Sequence, residues 1–254
     1  MARLGRRQGL AGLAAGCAAA GAMLAGCSSA PAVPAGQLGQ SVPTPTAPHL
    51  ATLDADGNSH ATLRLVTGTT TLTIQTADLG RAGALLRVST PASGAAPQLR
   101  ETQDDGTGSG PLVTLSAAGA HSVTVTLNAD VSWQLDLGGG TAQTVADLSG
   151  GQVSGIAFTA GSSVIDLALP RPQGSVTVKL AGGASQFLLS VPGGVPVRVT
   201  AGGGAGEVSV EGQDHTGVAG GSVFTAQGWA PGISGFDIDA TSGASSIAVT
   251  ARAG

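Results

Sequence analysis

Residues 175–189, SVTVKLAGGASQFLL, contain the pattern that decides the fold. Apolar and polar side chains alternate from Val176 onwards, and the alternation stops at Gly183. Phe187 and Leu189 then lie four and six positions after that glycine. Alternation with a period of two indicates a β-strand with one buried face, and a glycine between two such segments permits a tight bend. The stretch therefore predicts two short strands joined by a bend.

The glycine of this pattern recurs at a nearly constant spacing. Successive glycines are separated by 21, 22 and 21 residues and then by 39, which is almost two periods. Most units repeat the two apolar residues after the glycine, but Thr144 and Ala146 replace them in the first unit. Self-similarity at a fixed period indicates a repeat architecture. The repeated glycines are Gly140, Gly161, Gly183, Gly204 and Gly243, with a fainter earlier copy at Gly68.

Two short strands in each unit of about 21 residues predict an all-β fold, a β-solenoid-like strand-repeat domain. We expect residues 235–251 to form a terminal cap and residues 211–232 to be an inserted loop or an irregular rung. The apolar residues after the glycines are predicted to be core, as for Ile165, Phe187, Val208 and Ile247. The polar residues that alternate with apolar ones are predicted to face solvent, as for Thr177, Lys179, Arg198, Asp237 and Asp239.

The first 27 residues have the organisation of an export signal. Three arginines within the first seven residues precede an uninterrupted small and apolar segment at residues 9–23. The four residues that follow resemble the lipobox of bacterial lipoproteins at every position: Leu24, Ala25, Gly26 and Cys27. The resemblance implies that the leader is removed and that Cys27 carries a diacylglyceryl group with at least two acyl chains of the palmitate kind. The alternative is a transmembrane helix, but the segment is rich in Ala and Gly and no charged stop follows it.

These features predict three segments. Residues 1–26 are a lipoprotein signal peptide, and residues 27–58 are the lipidated cysteine with a Pro-rich tether. Residues 59–254 are the β-repeat domain, with clear repeats at 131–254 and weaker ones at 59–130. Because two acyl chains anchor a protein stably, we expect a lipid-anchored protein of the cell membrane that faces outside the cytoplasm.

Charge and cysteine usage limit the partners. The formal net charge is −4, and three of the eleven basic residues lie in the leader, so the mature chain is close to −7. This charge excludes a nucleic-acid partner, which needs clustered Lys and Arg to neutralise phosphates. The chain has two cysteines, Cys17 and Cys27. Cleavage before Cys27 leaves a single one, so the exported domain has no internal disulfide.

The repeats resemble the adhesin-like, or toastrack-type, β-repeat domains of bacterial envelope proteins. The resemblance covers residues 130–254 well and residues 60–128 loosely. It implies the same strand-repeat fold, and the family brings no catalytic residues to carry over. The glycine turns and strand ends that resemble the family are Leu137–Gly140, Ala160–Ser163, Leu169–Pro170, Gly182–Ser185 and Val191–Val197.

No catalytic constellation is visible in the sequence. There is no Gly-x-Ser-x-Gly elbow, no P-loop and no dinucleotide-binding fingerprint. The four histidines are scattered without ligand spacing, and Asp54–Asn58 departs from a calcium loop and is typical of a turn. Asp237 and Asp239 share one face of a strand, where alternation already explains them as solvent-facing. We therefore expect no enzyme activity, no cofactor and no metal.

Two functions remain open from the sequence. The first is a lipid-anchored, non-catalytic module for adhesion, envelope interaction or sensing, with a cell-wall polymer or an envelope protein as partner. The alternative is a carbohydrate-binding or carbohydrate-active β-helix protein, which needs aromatic platforms. The chain has two tryptophans and no tyrosine. Trp133 opens a strand and is predicted to be core, whereas Trp229 lies beside Pro231 and is the candidate for ligand contact.

Overall fold

Nineteen β-strands and no helix occupy the residues that the computed structural model describes, 47–103 and 110–253. All of these residues belong to one compact unit. The strands are β1 (His49–Asp54), β2 (His60–Leu65), β3 (Thr69–Ala77), β4 (Ala84–Thr90), β5 (Gln98–Thr102), β6 (Leu112–Ser116), β7 (Ser122–Asn128), β8 (Ser132–Leu137), β9 (Thr141–Asp147), β10 (Gln152–Phe158), β11 (Ser162–Ala168), β12 (Ser175–Leu180), β13 (Ala184–Pro192), β14 (Val197–Ala201), β15 (Ala205–Val210), β16 (Gln213–Val218), β17 (Ser222–Thr225), β18 (Gly235–Ala240) and β19 (Ala244–Arg252).

The strands form two sheets. Sheet A has ten strands in the order β1-β4-β7-β3-β9-β11-β13-β19-β15-β16. Sheet B has nine strands in the order β17-β14-β18-β12-β10-β8-β2-β6-β5. The central strands of both sheets pair in parallel, for example Ile156 with Val178 in sheet B and Ile165 with Phe187 in sheet A.

Each repeat contributes one strand to each sheet, and we call such a pair of consecutive strands a rung. The glycine-containing bend carries the chain from sheet B to sheet A within a rung. This arrangement confirms the predicted all-β, solenoid-like strand-repeat fold. Seven rungs stack in the spatial order β6–β7, β2–β3, β8–β9, β10–β11, β12–β13, β18–β19 and β14–β15.

The stacking order differs from the chain order at both ends of the stack. The β2–β3 rung lies between β6–β7 and β8–β9, and the last rung of the chain is also inserted. The β18–β19 rung lies between β12–β13 and β14–β15, so the prediction that residues 235–251 form a terminal cap was wrong. Residues 211–232, predicted to be an inserted loop or an irregular rung, contain β16 and β17, one strand in each sheet. These strands pair antiparallel with β15 and β14 and end the two sheets, so the segment is an irregular rung at the end of the stack and not an insertion. The position of these strands in the stack follows from the composition of their faces. The exposed, polar β16 has no alternating apolar face to bury, whereas β18 and β19 have one.

The space between the sheets is filled by the predicted core residues. Ile165, Phe187, Val208 and Ile247 are all fully buried, which confirms the predicted inward face. Trp133 is also fully buried, as predicted, and its indole N–H donates a hydrogen bond to the carbonyl oxygen of Asn128 at 3.0 Å.

The repeated glycines mark places where one rung comes very close to the next. A Cβ added to Gly161 would lie 3.0 Å from the carbonyl oxygen of Gly182, and one added to Gly68 would lie 2.9 Å from that of Gly140. A left-handed φ is required at only two of the repeated positions, Gly183 at 74° and Gly204 at 79°. The repeat therefore selects glycine mainly for close approach between backbones and only locally for a bend with positive φ.

The β-structure begins before the boundary that the sequence indicated. Strand β1 lies inside residues 27–58, which we assigned to the tether, and pairs antiparallel with β4. The strand has no buried apolar face, because Leu50 is 72% exposed and Leu53 is only half-buried. The strand is held by backbone pairing at a sheet edge, which leaves no hydrophobic signature in the sequence. The following residues, Asp56 and Gly57, have positive φ angles of 45° and 76° and form the predicted turn.

Candidate functional site

The outward face of sheet B brings charged side chains from separate repeats to the same level. In-register pairing places Arg198 of β14 beside Asp237 of β18. Two residues further along the same strands, Asp239 lies between Thr200 of β14 and Lys179 of β12. We call Trp229, Arg198, Asp237, Asp239 and Lys179 the Trp229 surface.

Arg198 and Asp237 form a bidentate ion pair at the centre of this surface. The Arg198 Nε–H donates to Asp237 Oδ1 at 2.8 Å, and the Nη2–H donates to Oδ2. Both side chains remain partly accessible, at 34% and 23% exposure. The hydrogen bonds to Asp237 raise the pKa of Arg198 above its already high ordinary value, so the guanidinium stays charged. The fork geometry fixes the guanidinium plane on the sheet.

Trp229 lies over this ion pair. Its indole centroid is 4.6 Å from the Arg198 guanidinium carbon, which is a cation–π distance. The residue sits in the loop between β17 and β18, where its backbone N–H donates to the carbonyl oxygen of Ala226 at 3.3 Å. The Trp229 side chain is half-buried, so the loop and the cation hold an indole that still reaches solvent.

The two carboxylates that the sequence singled out have different surroundings. Both oxygens of Asp237 accept hydrogen bonds from Arg198, whereas Asp239 has Lys179 as its in-register neighbour. Each carboxylate therefore lies beside a basic side chain. General acid–base chemistry needs a carboxyl group free to exchange a proton with a substrate. Structural ion pairing is the simpler account of Asp237.

A second ion pair on the same face provides an internal comparison. Arg64 Nε donates to Asp136 Oδ2 at 2.9 Å, across the neighbouring strands β2 and β8. The Arg64 and Asp136 side chains are 47% and 28% exposed. The pair at Arg198 differs in its second hydrogen bond, in the lower exposure of its side chains and in the tryptophan that lies over Arg198.

Other clefts open elsewhere on the described part of the domain. One cleft, of about 380 Å³, opens at the end of the stack between β16 and β17. It is lined by Glu211, His215 and Phe224, and the His215 and Phe224 rings lie 4.6 Å apart. Another, of about 330 Å³, is lined by Arg81, Asn128 and Asp130 among others. Within residues 47–103 and 110–253, no three His, Cys, Asp or Glu side chains are grouped as a metal site requires.

The predicted lipidation site cannot be placed in the fold. Cys27 and the lipobox residues Leu24, Ala25 and Gly26 lie outside the described residues, together with the signal peptide and most of the tether. Within the part of the chain that the structure covers, no helix is long and apolar enough to cross a membrane.

Comparison with known proteins supports the fold. No protein-family profile matches the sequence, and no curated protein matches it. Among solved structures, the chain is similar to a "putative cell adhesion protein" of Clostridium sporogenes, with a TM-score of 0.58 and 18% sequence identity. The match covers 80% of this chain and 99% of that one. At this identity the likeness concerns architecture, and it agrees with the stacked strand-repeat domain described above.

Proposed function

We propose that this chain is a lipid-anchored protein of the bacterial cell envelope whose β-repeat domain acts in adhesion or envelope interaction without catalysis. The observation that carries the proposal is the stack of parallel rungs, which displays in-register rows of side chains on an extended face. The likeness to a structure described as a cell adhesion protein supports the same role.

The dimensions of the stack suit an extended partner. Neighbouring strands lie about 4.8 Å apart, so the ten strands of sheet A span on the order of 40 Å. Solenoid-like stacks use such faces to bind long ligands, because successive repeats offer similar contacts. A cell-wall polymer or an elongated envelope protein has the matching shape.

The absence of catalysis is part of the proposal. A retaining or inverting glycosidase needs one carboxylic acid and one carboxylate across a substrate bond. On the Trp229 surface both oxygens of the Asp237 carboxylate accept hydrogen bonds from Arg198, so this carboxylate is committed to an ion pair. A carbohydrate-binding role fits this arrangement better than a carbohydrate-active one.

The anchor is tested by replacing the lipid-bearing thiol. Cys27→Ala should prevent attachment of the lipid and block removal of the leader, because the thiol is the group that receives the diacylglyceryl lipid. Cys17→Ala is the matched control and should leave both processes unchanged. Fractionation and mass spectrometry report the result. Lipid attachment and leader removal in Cys27→Ala equal to those of the unaltered protein would reject the anchor.

The adhesive role is tested with cells that produce the full chain. We expect such cells to be retained on immobilised cell-wall polysaccharide, and cells producing Cys27→Ala to lose that retention. Binding to neither wall polysaccharide nor isolated envelope would contradict the proposal.

A further inference from the structure

The Trp229 surface has the composition of a saccharide site. We propose that it binds a neutral sugar chain, with one sugar ring on the Trp229 indole and hydroxyl groups on the neighbouring charged side chains. This inference rests on the proposed function and names the class of ligand that the adhesive face recognises.

The aromatic part of the argument concerns Trp229. One face of a sugar ring presents C–H groups, which pack on an indole as other flat apolar surfaces do. The chain has six aromatic residues, and Trp133, Phe187 and Phe236 are fully buried. Trp229 is the indole that reaches solvent, and the cation–π contact with Arg198 fixes its position before a ligand arrives. A fixed platform reduces the ordering cost of binding.

The polar part concerns the carboxylates. A carboxylate has about four acceptor positions, and Arg198 occupies two of those on Asp237. The remaining positions on Asp237 and those of Asp239 can accept from sugar hydroxyl groups. Lys179 and the exposed Thr225, the latter in register with Arg198, add donors on either side. The surface thus offers donors and acceptors around one aromatic platform, as sugar sites require.

The charges select a neutral sugar over an anionic polymer. Arg198 and Lys179 carry two positive charges, which Asp237 and Asp239 balance. The whole chain is negative, at −4 including its basic leader. A phosphate-rich polymer would find no net positive patch here and would be repelled at longer range.

The chain provides its own reporter for the test. It contains no tyrosine, and Trp133 is fully buried, so a ligand on the surface perturbs the emission of Trp229 selectively. We would titrate the purified full-length protein in detergent with soluble neutral oligosaccharides, namely glucan, mannan and N-acetylglucosamine oligomers, and with polyphosphate. We expect a saturable fluorescence change with at least one neutral sugar and none with polyphosphate.

Variants identify the residues that bind. Trp229→Ala should weaken the affinity measured by calorimetry about tenfold or more. The loss of one stacking contact between an aromatic side chain and a nucleic-acid base has an effect of this size. Trp229→Phe should retain part of the affinity, and Asp237→Asn should weaken it several-fold. Asp136→Asn, which alters the matched ion pair far from Trp229, should bind as the unaltered protein does. Thermal melting of each variant confirms that it is folded.

The outcomes separate this inference from the proposed function. Sugar affinity that is unchanged in Trp229→Ala, or no binding to any neutral sugar while cells are still retained on wall polysaccharide, would overturn the site and leave adhesion standing. Saturable binding of polyphosphate at Trp229 would overturn the neutral ligand class. Loss of cell retention on every wall and envelope fraction would overturn both.

Discussion

Gly182→Ala tests whether the bend before the repeated Gly183 needs glycine because neighbouring rungs come into close contact there. A Cβ at this position would lie 2.0 Å from the carbonyl carbon of Ala160 and 2.1 Å from its oxygen, where ordinary contacts begin at 3.4 Å. The Gly182 backbone has no left-handed φ, so alanine fits the local conformation. The substitution therefore adds a steric clash with Ala160 and no backbone strain at position 182. Because the neighbouring atoms are backbone, they must move by more than about 1 Å.

The cost follows from the packing and the hydrogen bonds at the bend. Overpacking of a dense interior costs about 1–3 kcal/mol. The N–H groups of Ala181 and Gly182 both donate to the carbonyl oxygen of Phe158, at 2.8 and 3.1 Å. Displacing the bend weakens these bonds, each worth about 1 kcal/mol. We expect a loss of about 3 kcal/mol, which lowers the Tm of a domain of this size by roughly 6–12 °C.

Gly150→Ala is the matched control. Its Cβ would meet only the Thr76 hydroxyl oxygen, at an ordinary distance of 3.4 Å, and its φ is not left-handed. We expect a change within about 0.5 kcal/mol. The assay is urea unfolding followed by tryptophan fluorescence, with a thermal melt by circular dichroism. If Gly182→Ala melts within about 2 °C of Gly150→Ala, close approach between rungs does not require glycine at this bend.

Three further changes probe the core, the pH dependence and the stacking order. Phe187→Ala should cost about 3–5 kcal/mol in urea unfolding, because the ring is fully buried and packs edge-on against Phe158 at 6.1 Å. Hydrogen bonds from the Ser149 hydroxyl and N–H lower the pKa of Asp147 below its ordinary value, so their stabilisation is present at neutral pH and is lost as the pH falls through that lowered pKa. Ser149→Ala should therefore be slightly less stable than the unaltered protein at pH 7, by less than about 1 kcal/mol, and the difference should shrink as the pH falls through the lowered pKa of Asp147. Removal of residues 233–254 should unfold β14 and β15 as well, which hydrogen exchange would report as lost protection there, because β18 and β19 join them to the stack.

Alternation and glycine spacing predict strands, faces and core well, because each depends on residues a few positions apart. The order in which the rungs stack could not be predicted from the sequence. All repeats present similar apolar faces, so the local pattern does not specify which repeat is the neighbour of which. The 39-residue step at Gly243 is compatible with either a terminal or an inserted rung. The structure resolves this because β16 and β17, not β18 and β19, occupy the end positions of the two sheets.

The candidate site was predicted only in part. Trp229 stood out because aromatic residues are rare in this chain and this one lies beside Pro231, outside the alternating segments. Its contact with Arg198, and the pairing of Arg198 with Asp237, depend on the adjacency of β14 and β18. These two residues are 39 positions apart, and nothing local to either one indicates the other. Their assignment as solvent-facing residues was correct but carried no information about their pairing.

The inserted rung is tested most directly by cysteine pairs on the outward face of sheet B. Both native cysteines precede the described β-structure, at Cys17 and Cys27. Lys179 is in register with Asp239 on the adjacent strand, and Thr200 lies one strand further away. Adjacent strands are about 4.8 Å apart and alternate ones about 9.6 Å, whereas a disulfide needs Cα atoms within about 7 Å.

Mild oxidation should therefore cross-link Lys179→Cys with Asp239→Cys. It should leave Lys179→Cys with Thr200→Cys reduced. Efficient cross-linking of positions 179 and 200, with none between 179 and 239, would mean that the repeats stack in chain order and would contradict the fold described here.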